Sequence, residues 1–128
     1  MGDADRMHTI DHHRPYQKLI VWKEAHMLCL FIYRMTIHFP SHEKFALVNQ
    51  MRRSSYSVPT NIAEANGKTS VKDRDHFFEY AHCSLEELHY QCVLSLDLSY
   101  ITPAQFDEAE DHIKRVSYLL MRLRSSLK

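Results

Sequence analysis

Apolar and small residues recur at helical spacing along most of this chain. Around Pro59 they are separated by gaps of three and four residues, which places them on one side of a helix. These positions are Val48, Met51, Ser55, Val58, Ile62 and Ala65. A proline inside a helix removes one backbone hydrogen bond, so two helices meeting near Pro59 are the alternative. Because the stripe keeps its phase across the proline, we predict one helix, kinked at Pro59, from about Glu43 to Asn66.

Residues that favour helix ends mark the boundaries of helices 2 and 3. Ser41 is a predicted N-cap for helix 2, and Gly67 is a predicted C′ residue that is free to take a positive φ. Ser70 and Asp73 resemble a capping box at the start of helix 3, which we place at about 71–99. The stripe predicted for helix 3 contains Phe77, Ala81, Ser84, Leu88, Gln91, Ser95 and Leu98, widened on one side by Phe78, Leu85, Cys92 and Leu96.

Helix 4 has three start signals. Thr102 is a cap, Pro103 occupies the first helical position, and Gln105 completes a capping box. Short connections make neighbouring helices antiparallel. We therefore predict an all-α protein, an up-down-up-down antiparallel four-helix bundle over residues 16–128. A polar N-terminal tail over residues 1–15, which we expect to be flexible, precedes it.

Helix 1 carries more apolar surface than a bundle needs. We predict that it spans about Tyr16–His38, because Pro40 disfavours helix in the residue before it. Its apolar residues, including the run from Met27 to Tyr33, cover nearly every direction around the helix axis. A four-helix bundle of this length buries only one side of each helix. Because apolar surface of helix 1 is left over, we predict that a second copy of the chain covers that surface.

The amino-acid composition is typical of a helical domain and limits how the chain could bind nucleic acid. Of the 128 residues 45% are hydrophobic, and only two are glycine, which favours long helices. Lys+Arg and Asp+Glu number 16 each, so the total charge gives no electrostatic footprint for nucleic acid, and only a local patch could. We expect a cytoplasmic protein without a membrane-spanning segment. Cys29, Cys83 and Cys92 are interpreted as reduced core residues.

Two Glu-x-x-His motifs on helix 3 are the sharpest metal-like pattern, Glu79 with His82 and Glu86 with His89. Di-metal bundle proteins place one such motif on each of two helices, whereas both copies here share one helix and point away from its core stripe. We therefore interpret them as a solvated face and predict no metal and no other cofactor. The sequence also lacks the glycines of a phosphate loop. We expect no enzyme activity, and a metal-dependent enzyme is the alternative.

Basic residues suggest a different role for helix 2 and the turn that follows it. Arg52 and Arg53 lie together on helix 2, and Lys68, Lys72 and Arg74 flank the turn to helix 3. Solvation of a helix surface is one interpretation. Phosphate contact is the other, because modest charges add when a patch is repeated around an oligomer. A third hypothesis makes the polar side of helix 2 a surface for a protein partner.

The segment from Arg52 to Glu64 resembles the signature R-R-x-x-x-S-[IV]-P-[ST]-N-I-A-E. This signature belongs to the four-helix-bundle proteins encoded in intervening sequences of bacterial 23S ribosomal RNA genes. Upstream, residues 19–25 resemble the L-x-V-W-x-x-A opening of that family. Downstream, residues 77–91 resemble its F-x-x-x-A-x-x-S-L-x-E-L-x-x-Q segment. The resemblance covers about residues 16–101, and the chain departs from it at Ala65, Cys83 and His89.

The resemblance implies a cytosolic bundle that assembles with itself, with a pentamer expected. The family is also similar to the accessory bundle proteins of diversity-generating retroelements, which bind nucleic acid and a reverse transcriptase. By analogy, the resemblance implies a scaffold for RNA or DNA, with a nucleic-acid enzyme as a further partner. The family motif falls on Ser57, Pro59, Asn61 and Glu64, and we expect Asn61 and Glu64 to hold the Pro59 bend or a subunit contact.

Overall fold

The computed structural model describes residues 14–127, and within that range it contains four α-helices and no strand. Helix α1 spans Ile20–Thr36, α2 spans Leu47–Asn66, α3 spans Val71–Asp97 and α4 spans Pro103–Ser126. Short 3-10 helices at Pro15–Lys18 and Ser41–Glu43 precede α1 and α2. The predicted tail, residues 1–15, lies outside the described residues except for its last two.

The helices form the predicted antiparallel bundle. Each packs against its neighbours in sequence, α4 returns to α1, and the most extensive contact joins α2 to α3. Ser54 contacts Gln91 while Met51 contacts Ser95, so α2 and α3 run in opposite directions. The up-down-up-down prediction is confirmed.

The core confirms most positions of the predicted stripes and corrects a few of those on α3. Phe78 is buried, whereas Phe77 is only half-buried and Leu98 is 47% exposed. The buried side of α3 therefore combines Ala81, Leu88, Gln91 and Ser95 of the predicted stripe with Phe78, Leu85 and Cys92 beside it, where α2 and α4 pack against the helix. Cys83 lies on the outward side and is exposed, so its assignment to the core was wrong.

Helix ends follow the predicted caps in two of four cases. Ser70 Oγ accepts from the backbone N–H of Asp73 at 3.0 Å, and Thr102 forms a reciprocal capping box with Gln105. Ser41 does not cap α2; it begins a 3-10 helix, and α2 starts six residues later at Leu47. Gly67 ends α2 with a φ of −83°, so the expected positive φ is absent there.

Helix α1 is shorter than predicted at its start. Leu19 takes an extended conformation, with φ −72° and ψ 131°, and separates the first 3-10 helix from α1. At the other end, Thr36 donates its hydroxyl to the Ile32 carbonyl at 2.8 Å, a side-chain bond back into the last turn. Helix α2, in contrast, continues through the buried Pro59 without a break, so the prediction of one helix is confirmed.

The outer side of α1 presents apolar residues to solvent, with the exposed Lys23 and Arg34 between them. Ile20 is 64% exposed and Ile37 is 67% exposed, while Met27 and Leu30 between them are half-buried. The gaps of seven, three and seven residues place these four on one side of the helix. We call them the outer side of α1. None of the helices within residues 14–127 is long and apolar enough to cross a lipid bilayer.

Candidate functional site

A groove of about 730 Å³ lies between α1, α2 and the first 3-10 helix. This volume is within the roughly 300–1,000 Å³ that ligand sites occupy. Its walls combine aromatic, polar and charged side chains. The lining residues are Arg14, Tyr16, Trp22, His26, Cys29, Tyr56, Pro59, Thr60, Ala63, Glu64, Gly67 and Lys68.

Aromatic rings form one wall of this groove. Trp22 and His26 lie one helical turn apart on α1, and their rings stack with centroids 5.1 Å apart and planes within 10°. Tyr16 packs edge-on against Trp22 at 5.3 Å. From α2, Tyr56 faces the same groove and is 47% exposed. The rings of His26 and Tyr56 therefore have faces or edges open to an occupant.

Burial sets the protonation of two groups at the groove. It lowers the pKa of His26 below its ordinary value of 6.5, so the ring is neutral at pH 7 and has one donor and one acceptor nitrogen. It also raises the pKa of Cys29, although a hydrogen bond between Cys29 Sγ and Ser55 Oγ opposes that shift. A thiol that holds its proton is a poor nucleophile.

Charged side chains also line the groove. Arg14 from the 3-10 helix region and Lys68 from the end of α2 both line it, and Glu64 supplies a carboxylate. Lys68 Nζ also lies 5.1 Å from the ring centroid of Phe77 on α3. With His26 neutral, the groove carries two positive charges and one negative charge.

The four motif residues divide between two places. Pro59 and Glu64 line the groove. Ser57 and Asn61 instead serve the contact of α2 with α3: Ser57 Oγ lies 2.8 Å from Ser84 Oγ, and Asn61 Nδ2 donates to Ser57 Oγ at 3.0 Å. Asn61 Nδ2 also lies 2.8 Å from the Ser57 carbonyl oxygen, one turn before it and on the other side of the proline.

Arg52 is occupied by a contact between helices. Its Nε donates to Thr36 Oγ1 at 3.0 Å and its Nη2 to the Tyr33 carbonyl at 3.2 Å. The guanidinium lies 4.7 Å above the Tyr33 ring. Cations near the last carbonyls of a helix are stabilising, and Arg52 fastens α2 to the end of α1 in this way. Arg53 is exposed and bonds Gln50 on its own helix.

The other predicted phosphate contacts lie at the far end of α2. Arg74 Nε donates to the Lys68 carbonyl at 2.7 Å and closes the turn between α2 and α3, while Lys72 is exposed. Sixteen residues separate Arg52 from Lys68, which is about 24 Å along a helix. The five basic residues therefore form two groups and not a single patch.

The Glu-x-x-His motifs do not form a metal site within residues 14–127, where no group of three or more His, Cys, Asp or Glu side chains is placed to hold an ion. His89 instead lies 3.2 Å from Glu110 on α4. The aromatic wall was missed from the sequence. Its only signal in the sequence was that apolar residues, Trp22 among them, surround the axis of helix 1. That pattern does not reveal which residues Trp22 faces.

Comparisons with known proteins agree with this architecture. The chain matches the family described as 23S rRNA-intervening sequence protein over residues 17–122. It is also similar in fold to a protein of unknown function from the S23 ribosomal protein family of Bacteroides thetaiotaomicron VPI-5482. That crystal structure has a TM-score of 0.74 and 22% identity, with 82% of this chain and 98% of that chain covered. No curated protein matches the chain. Since the family match spans nearly the whole bundle, the chain belongs to the 23S rRNA-intervening sequence protein family.

Proposed function

We propose that this protein is a non-enzymatic, homo-oligomeric scaffold in the cytoplasm that associates with nucleic acid, with RNA favoured over DNA. The observation that carries the proposal is the outer side of α1. Its exposed isoleucines, Ile20 and Ile37, leave apolar surface in water on a helix whose other side is already buried. Surfaces of this kind mark protein interaction sites, and a second copy is the most economical partner.

Self-association supports the nucleic-acid role because it multiplies weak charges. The exposed Arg53 and Lys72 offer only a few cations per copy, and the whole chain has a formal net charge of zero. In a ring of copies these cations repeat, and each phosphate that they neutralise adds to affinity. A pentamer is the subunit number that we expect from the family resemblance. A nucleic-acid enzyme is the protein partner that we propose for such a scaffold.

Native mass measurement tests the assembly. We expect the wild-type chain to have the mass of an oligomer at micromolar concentration, and Ile37→Glu to shift it toward the monomer. Met121→Glu is the matched control, because Met121 is 60% exposed on α4, close to the 67% of Ile37. A monomeric wild type, or an assembly that survives charges at both Ile20 and Ile37, would contradict the proposal.

RNA titration at several salt concentrations tests the nucleic-acid role. We expect the Arg53→Gln/Lys72→Gln double variant to bind more weakly and to have a shallower salt dependence, with about one unit of slope lost per phosphate contact per copy. Arg52 is unsuitable for this test, because its side chain also connects α1 to α2. Absence of RNA and DNA binding at about 50 mM salt would leave a protein–protein adaptor as the function.

A further inference from the structure

We propose that the groove between α1 and α2 holds an unpaired nucleotide of a single-stranded RNA. The base would lie against the rings of Tyr56 and His26, with its phosphate toward Arg14 and Lys68. This inference rests on the proposed association with nucleic acid and adds the site and the form of the ligand. It differs from the phosphate contacts predicted from the sequence, of which only Lys68 lines the groove.

The shape and rings of the groove favour a single base. A volume of about 730 Å³ accommodates one nucleotide but not a duplex, whose bases are stacked inside the helix. Trp22 is only 8% exposed and supports His26 from behind by stacking. Tyr56 is 47% exposed and supplies a second accessible ring from α2. Proteins hold unpaired bases on aromatic side chains in this way, because every base has an aromatic face.

The polar groups of the groove match the rest of a nucleotide. Arg14 and Lys68 are the cations that a phosphate requires. Glu64 accepts hydrogen bonds from base amino or imino groups, and neutral His26 has both a donor and an acceptor nitrogen. Thr60 Oγ1 donates its proton to the Tyr56 carbonyl at 2.7 Å, so this oxygen can act only as an acceptor for a hydrogen bond from the nucleotide. A purely apolar occupant would make no use of the two cations and the carboxylate that line the groove.

The groove is also distinct from the surface that we assign to self-association. None of the four residues of the outer side of α1 lines it. Helix α1 thus presents to solvent an aliphatic surface with Lys23 and Arg34 between its apolar residues, and next to it an aromatic wall with polar neighbours. The two surfaces share no residue.

The test compares full-length protein variants by fluorescence anisotropy with a labelled single-stranded RNA of 12 nucleotides and with a duplex of the same length. We expect Tyr56→Leu to weaken single-strand binding about tenfold, in the range that stacking of one base supplies, and to leave duplex binding unchanged. Tyr56→Phe keeps the ring and should restore the affinity. Tyr90→Leu is the matched control, because Tyr90 is 62% exposed on α3 and does not line the groove.

Each result decides between the two proposals. Single-strand binding that is equal in wild type and a folded Tyr56→Leu variant overturns the groove assignment and leaves the proposed function intact. Absence of binding to either RNA by the wild type overturns the inference together with the preference for RNA in the proposed function. Native mass is recorded for every variant. A Tyr56→Leu chain that loses subunits together with RNA binding would assign the groove to another copy and overturn the inference, and so would a failure of Tyr56→Phe to bind.

Discussion

Trp22 and His26 illustrate how one pair of side chains sets the chemistry of a site. The stacked indole covers one face of the imidazole and helps to bury it, and burial disfavours the charged ring. Glu64, Lys68, Arg14 and Cys29 line the same groove, but desolvation is the cause that lowers the pKa of His26. The consequence is a neutral histidine at pH 7.

The lowered pKa of His26 predicts a pH dependence of stability. The unfolded chain takes up this proton near pH 6.5, before the folded chain does. The contribution of neutral His26 to the stability of the fold is therefore present above pH 6.5. It is lost as the pH falls from 6.5 through the lower pKa that His26 has in the folded chain. We expect the unfolding temperature of His26→Gln, followed by circular dichroism, to fall less than that of the wild type between about pH 7 and 5. An equal or steeper fall in the variant would contradict the direction of the shift.

The three cysteines differ in what covers them. Burial raises the pKa of Cys92 to about 12, and that of Cys29 is also raised, whereas Cys83 is exposed on α3. We expect a thiol reagent at pH 7.5 to label Cys83 first in the native protein, since only accessible thiolates react quickly. Mass spectrometry of peptides checks the order. In Cys83→Ser the fast phase should disappear, and a fast phase that remains would show that another cysteine is accessible.

At the scale of elements, a buried polar network joins α2 to α3. Ser54 Oγ donates to Gln91 Oε1 at 2.6 Å, and Ser95 Oγ donates to the Gln91 carbonyl at 2.7 Å. All three side chains are buried. Buried polar groups are costly when they lack partners, so this network fixes the register of the two helices as well as stabilising them.

Removing one member should therefore cost more than an ordinary serine substitution. We expect Ser54→Ala to lower the free energy of unfolding by about 1–3 kcal/mol, because Gln91 Oε1 loses its buried donor. Thr60→Ala is the control, since Thr60 also donates to a carbonyl one turn back but is exposed. Urea denaturation measures both. Equal losses in the two variants would indicate that the contact to Gln91 contributes little.

The sequence predicted those features that depend on neighbours along the chain. The four helices, the caps at Ser70 and Thr102 and the continuous helix through Pro59 all follow from spacing and local hydrogen bonding. The exposure of Leu98 and Cys83 did not follow, because it depends on the direction from which α2 and α4 pack against α3. The groove could not be predicted either, since its walls come from two helices and a separate 3-10 turn.

For the basic residues, too, the sequence did not predict which side chains are exposed. Arg52 and Arg53 are adjacent in sequence, yet Arg52 turns back onto Tyr33 and Thr36 while Arg53 is exposed. Two neighbouring arginines on a helix point about 100° apart, so adjacency does not make a patch.

At the scale of the whole molecule, the proposed self-association through the outer side of α1 would make stability depend on how much protein is present. Partners that bind only the folded chain stabilise it by mass action, and here the proposed partner is the chain itself. We expect the thermal midpoint to rise by several degrees between about 1 and 100 µM protein, as measured by scanning fluorimetry. The Ile37→Glu variant should melt at one temperature throughout. A concentration-independent midpoint in the wild type would count against self-association. In a cell that makes little of this protein, the folded chain would then be less stable than in a cell that makes much of it. Since unfolded chains are degraded, the amount of protein would itself influence how long each copy survives.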